Sequence, residues 1–174
     1  MALTIEDGTG VAGADSYVTL NEIRTYATNR NLTLPAGDAE IEALARGAVD
    51  YLEGRRLEYK GIKSTSAQAL QWPRTDLDAD GVIVGIEVDG YELGLTAIPK
   101  ELKLAQCQLC IEINTTDILP TSTTYPVKRE KVDAIETEYA VKLGSEPILP
   151  EMPKVEGLLA PLLKPVPFLT SVRI

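Results

Sequence analysis

Asp38-Ala-Glu-Ile41-Glu-Ala-Leu44-Ala45-Arg-Gly-Ala48-Val49-Asp-Tyr-Leu52-Glu-Gly54 is the most strongly periodic stretch of the chain. Its apolar residues Ile41, Leu44, Ala45, Ala48, Val49 and Leu52 recur at i, i+3, i+4, i+7, i+8 and i+11, which gathers them on one face of a helix. Asp38 suits the N-cap, where a short carboxylate accepts from the free N–H groups of the first turn, and Gly54 suits the stop. The stretch predicts a helix with one buried stripe, and the flanking sequence must supply what covers it.

Upstream, Thr19-Leu-Asn-Glu22 reads as a capping box with Val18 stapled onto Ile23, which predicts a helix from Leu20 to about Arg30. Downstream, Pro99 suits the first turn of a third helix ending near Asn114. Its stripe is Leu102, Ala105, Leu109 and Ile113, widened by Leu104, Cys107 and Ile111, so this helix is expected at the centre of the core.

The segments between and beyond the helices read differently. Ala2 to Glu6 alternates like a short strand, and Val82–Val88 can pair with Tyr91–Leu95 around an Asp89-Gly90 turn. Val127 to Val141 alternates charged and apolar residues about Asp133-Ala134, as a two-sided ribbon would. Pro153 can open a last short helix through Leu159, after which Pro161, Pro165 and Pro167 forbid regular helix. The expected fold class is mainly α: a small helical bundle with inserted β-hairpins and an extended C-terminal arm. Residues 1–119 would form the helical core with a hairpin inserted at about 61–95. Residues 120–150 would be a linker and β-ribbon, and residues 151–174 a short helix and docking tail.

Composition narrows the chemistry. A length of 174 residues with 44% hydrophobic content suits one core with residues left over for arms. Lys+Arg 17 against Asp+Glu 26 gives a net charge of -9, which disfavours nonspecific duplex binding because the surface repels phosphate. The chain has no histidine, so the usual general base and zinc ligand are missing and His-dependent hydrolase mechanisms are excluded. No enzyme activity and no cofactor are expected. The opening Met-Ala-Leu-Thr-Ile-Glu-Asp lacks the pattern of a signal peptide, and no apolar run approaches a bilayer span, so the expectation is a chain kept in a reducing cytoplasm.

Four motifs carry possible chemistry. Gly8-Thr-Gly10-Val-Ala-Gly13 matches G-x-G-x-x-G, but the helix it should open begins only at Leu20, so a mobile loop is expected. Cys107 and Cys110 match C-x-x-C in mid-helix, where packed core thiols are the expectation. Asp76, Asp78, Asp80 and Glu87, with Gly81 at the sixth position, fit a calcium-loop pattern. Pro73 and the strand-like run after it favour an ordinary acidic turn instead. Arg55, Arg56, Lys60, Lys63 and Trp72 interleave cations with an aromatic ring, as a single-strand groove would. Leu158-Leu-Ala-Pro-Leu-Leu-Lys-Pro-Val-Pro-Phe-Leu-Thr-Ser-Val-Arg-Ile174 is too apolar for a solvated tail. It either packs on its own domain or docks on a neighbour, with Phe168 to Ile174 added as an edge strand.

Several pieces in order resemble one family: Glu-Asp-Gly-Thr-Gly-Val-Ala-Gly-Ala-Asp-Ser-Tyr-Val near the start, Val-Asp-Tyr-Leu-Glu-Gly-Arg, Ala-Leu-Gln-Trp-Pro-Arg, Ile98-Pro99-Lys-Glu-Leu-Lys, Val127-Lys-Arg-Glu-Lys-Val, and Leu158-Leu-Ala-Pro-Leu-Leu163. Together they are similar to head-to-tail adaptor (connector, head-completion) proteins of tailed bacteriophages, often labelled DnaT-like single-stranded-DNA-binding. The resemblance implies a structural subunit in the virion neck, assembled in the host bacterial cytoplasm. It would form a twelvefold ring of itself beneath the portal protein, pass the packaged DNA, and receive the next neck or tail protein.

In that reading the tail residues Leu162, Leu163, Val166, Phe168, Leu169, Val172 and Ile174 meet the portal. The ribbon residues Lys128, Arg129, Lys131, Val132, Ile135 and Tyr139 meet ring neighbours. The alternative is a single-stranded DNA-binding module that uses the run from Arg55 to Trp72.

Overall fold

The computed structural model describes residues 2–116, 118, 129–132, 135–138 and 152–165. They hold helices α1 (Leu20–Asn29), α2 (Asp38–Gly54), α3 (Lys100–Thr115) and α4 (Pro153–Leu159), the last followed by a 3-10 turn at Ala160–Leu162. The strands are β1 (Ile62–Lys63), β2 (Arg74–Leu77), β3 (Ile83–Gly85), β4 (Glu87–Val88), β5 (Tyr91–Glu92), β6 (Arg129–Val132) and β7 (Ile135–Glu138). They make an antiparallel sheet of order β1-β2-β3 and two antiparallel pairs, β4-β5 and β6-β7.

Local chemistry sets the helix starts. At α1 the capping box forms: the Glu22 N–H donates to Thr19 Oγ1 at 3.2 Å, and the Thr19 N–H donates to the Glu22 carboxylate at 2.6 Å. At α2 the cap is one residue earlier than expected. Gly37 takes that position, its N–H donating to Glu40 Oε2, while Asp38 is the first helical residue and pairs with Arg24 at 2.6 Å. The α2 stripe buries Ile41, Ala45, Ala48, Val49 and Leu52, and Leu44 is half-buried.

α3 is central, as its wide stripe requires, and packs against α1, α2 and α4. It also buries two amides that an apolar reading passes over. Gln106 accepts from the Tyr17 N–H at 2.9 Å and donates to Ser16 Oγ and the Ala45 carbonyl, and Gln108 accepts from the Tyr26 hydroxyl at 2.8 Å. Buried amides are tolerated only when paired in this way.

The expected mainly helical bundle is corrected to a mixed α/β domain. The segment after α2 is a wall of the core, not a hairpin inserted into a finished bundle. Leu70, Trp72, Ile86 and Val88 are buried in the same cluster as the helix stripes, with Trp72 packed edge-on against Tyr59 at 5.7 Å. The Asp89-Gly90 turn forms as expected, but only β4 and β5 flank it. Residues 83–85 pair backwards with β2 instead, and Gly85 also leaves room for the Leu93 carbonyl, which any Cβ would obstruct. The strand expected at Ala2–Glu6 is reduced to one bridge between Ile5 and Ser16. α4 lies on α3 and buries Val155 and Leu159.

Candidate nucleic-acid interface

The basic-aromatic run from Arg55 to Trp72 folds into a structural hub. Trp72 is 1% exposed, so its ring offers no face to a base. The Arg55 guanidinium donates to both oxygens of Glu156 at 2.6 Å and also to Glu58. Burial works against its charge, but these carboxylates outweigh that and hold its pKa above the ordinary value. Lys60 Nζ donates to the Glu87 carbonyl and Lys63 Nζ to the Gln68 carbonyl, while Arg56 is exposed.

Arg74 completes the hub by donating to the Lys60 and Gly61 carbonyls, and burial lowers its pKa. Beside it, the Tyr17 hydroxyl donates to Glu53 at 2.7 Å, the same oxygen that accepts the Gln71 N–H. Burial, then the Glu53 charge, drives the Tyr17 pKa well above the usual phenol value. As a site for a single strand, the Arg55, Arg56, Lys60, Lys63 and Trp72 set is therefore corrected: apart from Arg56, these groups hold the loop, the sheet and α4 together.

The other motifs also turn inward. Gly8, Gly10 and Val11 direct their N–H groups at 2.8–2.9 Å onto the carboxylate of Glu6, which is fully buried. The glycine-rich loop thus wraps the chain's own anion where a phosphate-binding loop would hold a ligand. Asp78 sits at the β2–β3 turn and accepts from the N–H groups of Asp80 and Val82. Asp76 lies on β2 and Glu87 on β4. Among the described residues no three His, Cys, Asp or Glu side chains are placed to hold a metal ion. Burial raises both cysteine thiols, Cys107 to about 12, which leaves them un-ionised at neutral pH.

Of the proposed portal contacts, Leu162 is fully buried in the domain's own core and Leu163 bridges to Tyr59, which corrects their assignment to a docking tail. Val166, Phe168, Leu169, Val172 and Ile174 lie outside the described residues, as do Lys128 and Tyr139. Arg129, Lys131, Val132 and Ile135 lie on the β6-β7 pair, in the register Arg129 opposite Glu138 and Val132 opposite Ile135.

Among the described residues, a groove and a hairpin stand out as surfaces open to a partner. The first is a groove of about 550 Å³ between α1 and the start of α3. α1 lines it with Asn21, Thr25 and Asn29, one polar residue per turn, and ends it with Arg30, whose guanidinium lies 3.8 Å over the Tyr26 ring. α3 adds Lys100 and Lys103 above a floor of Val18, Leu104 and Cys107. Lys100 is largely exposed and lies 3.6 Å from Glu101, and Lys103 stands 3.8 Å from Glu22. Three cations less Glu22 and Glu101 gives a local balance of +1 among the described residues, on a chain of net charge -9. The α3 N-terminus adds the positive end of its dipole.

The sequence reading missed this groove because its cations come from two helices far apart in the chain. The Asn21, Thr25, Asn29 spacing of i, i+4, i+8 was the one legible sign of it. The second feature is the β2–β3 hairpin, where Leu77 and Ile83 are paired and each more than half exposed, next to Val82.

A mixed α/β domain with a cation-lined helical groove on an otherwise acidic chain is the class that fold and site define. The chain belongs to the family described as "Putative DnaT-like ssDNA binding protein", which matches it over residues 1–173. No curated protein and no solved structure matches it. Among the described residues, no helix is long and apolar enough to cross a membrane.

Proposed function

We propose that this chain is a non-catalytic protein that contacts single-stranded DNA through the α1–α3 groove. The observation that carries the reading is the gathering of Arg30, Lys100 and Lys103 beside the amides of Asn21 and Asn29. Cations neutralise phosphates, and amides can hydrogen-bond the exposed edges of unpaired bases. The family description points the same way. The acidity of the remaining surface limits contact to the groove and opposes wrapping by duplex.

Fluorescence anisotropy with a labelled oligothymidylate at low salt tests the proposal. Three phosphate contacts predict a slope of about -2 in log K against log salt, from roughly -0.7 per contact on a single strand. Lys100→Glu with Lys103→Glu should weaken binding more than tenfold. Binding that is unchanged in this variant, or absent from the unaltered chain at low salt, rejects the groove as a DNA site.

The exposed apolar residues of the β2–β3 hairpin favour a second reading, a structural head-to-tail connector in a phage neck. In it the chain forms a ring with copies of itself, docks on a portal protein and a downstream neck or tail protein, and lets packaged DNA pass an acidic wall. Electron microscopy of the chain mixed with portal protein decides it, and a chain that leaves the portal bare rejects it.

A further inference from the structure

The two open surfaces are complementary to each other. The β2–β3 hairpin presents Leu77, Val82 and Ile83, 53%, 58% and 59% exposed, and antiparallel pairing puts Leu77 and Ile83 on one face. Its tip is acidic: Asp80 is exposed and Asp78 holds the turn through the N–H groups of Asp80 and Val82, while Asp76, opposite Val84, stands on the other face. The α1–α3 groove has the opposite design, with Val18 and Leu104 below and Arg30, Lys100 and Lys103 around it. None of residues 76–83 lines the groove of its own chain.

From this we infer that the β2–β3 hairpin of one copy docks into the α1–α3 groove of a second copy. Leu77 and Ile83 cover the groove floor while Asp80, at the turn, meets the lysines at its rim. On a chain of net charge -9, approach of two copies is repulsive over most of the surface, so an acidic tip against the cationic groove is an orientation that electrostatics selects. The contact joins two different surfaces, so it is head-to-tail: each copy keeps one free hairpin and one free groove, and successive copies close a ring or continue as a filament. It uses the groove proposed for single strands but does not require that proposal.

A charge swap read by sedimentation velocity of the full chain, without DNA, tests the inference. The unaltered chain should self-associate with rising concentration. Asp80→Lys, and separately Lys100→Glu with Lys103→Glu, should each weaken association at least tenfold. Asp78 is kept so that the turn still forms, and circular dichroism confirms that both variants fold. Mixing the two variants should restore association, because the basic tip of one then meets the acidic groove of the other. A chain that stays monomeric throughout, association insensitive to either swap, or a mixture no tighter than its parts overturns the inference. Failure of oligothymidylate binding alone leaves these results unaffected and rejects only the DNA reading.

Discussion

The run from Arg55 to Trp72 and the α1–α3 groove both combine cations with aromatic rings, yet they end in opposite environments. The first is contiguous in sequence and becomes a bracket: Arg55 is held by Glu58 and Glu156, and Trp72 is sealed against Tyr59. The second is scattered over residues 18–107 and becomes an accessible surface, with Lys100 85% exposed. The difference lies in what surrounds each cation. Carboxylates and carbonyls reach Arg55, Lys60, Lys63 and Arg74 from neighbouring segments, so their hydrogen-bonding capacity is taken within the fold. In the groove each lysine has one carboxylate nearby, Glu101 at 3.6 Å from Lys100 and Glu22 at 3.8 Å from Lys103, and both pairs lie at the surface.

The comparison can be broken at its buried end first. Trp72→Ala should cost about 3–5 kcal/mol, since it opens a cavity between the sheet and Tyr59, and urea unfolding followed by circular dichroism measures it. A loss below about 1 kcal/mol would put Trp72 on the surface and return the Arg55–Trp72 run to consideration as an interface. Arg55→Ala should cost about 1–2 kcal/mol, less than a fully buried pair because Glu156 is 45% exposed, and it should loosen α4 before the rest of the domain. Hydrogen exchange over residues 153–162 gives the local readout. Lys100→Ala should change stability by less than about 0.5 kcal/mol in the same unfolding experiment, as expected of an exposed side chain. A larger loss would make the groove a structural bracket too.

The helices were legible in the sequence for reasons the structure repeats. Thr19 and Glu22 form their capping box, Ile41 to Leu52 bury their stripe, and Pro153 opens α4. These are local facts, decided by hydrogen bonds within one turn and by 3.6-residue spacing. The β-region was legible only at the Asp89-Gly90 turn. Residues 83–85 pair with Thr75, Asp76 and Leu77 of β2, a register between segments that spacing alone does not encode. The candidate site was legible least of all, because its groove belongs to no single segment.

The sequence by itself determined a histidine-free, acidic chain with capped amphipathic helices around a central α3, because composition and periodicity act within the reach of a few residues. Only the tertiary structure decided which charges face water. It enclosed Glu6 in a ring of backbone N–H groups, tied Arg55 to Glu156 about a hundred residues away, and left Arg30, Lys100 and Lys103 along one open groove. The physical reason is that desolvation and pairing are properties of the assembled surroundings: the same cation is a bracket where carboxylates converge on it and a contact where they do not.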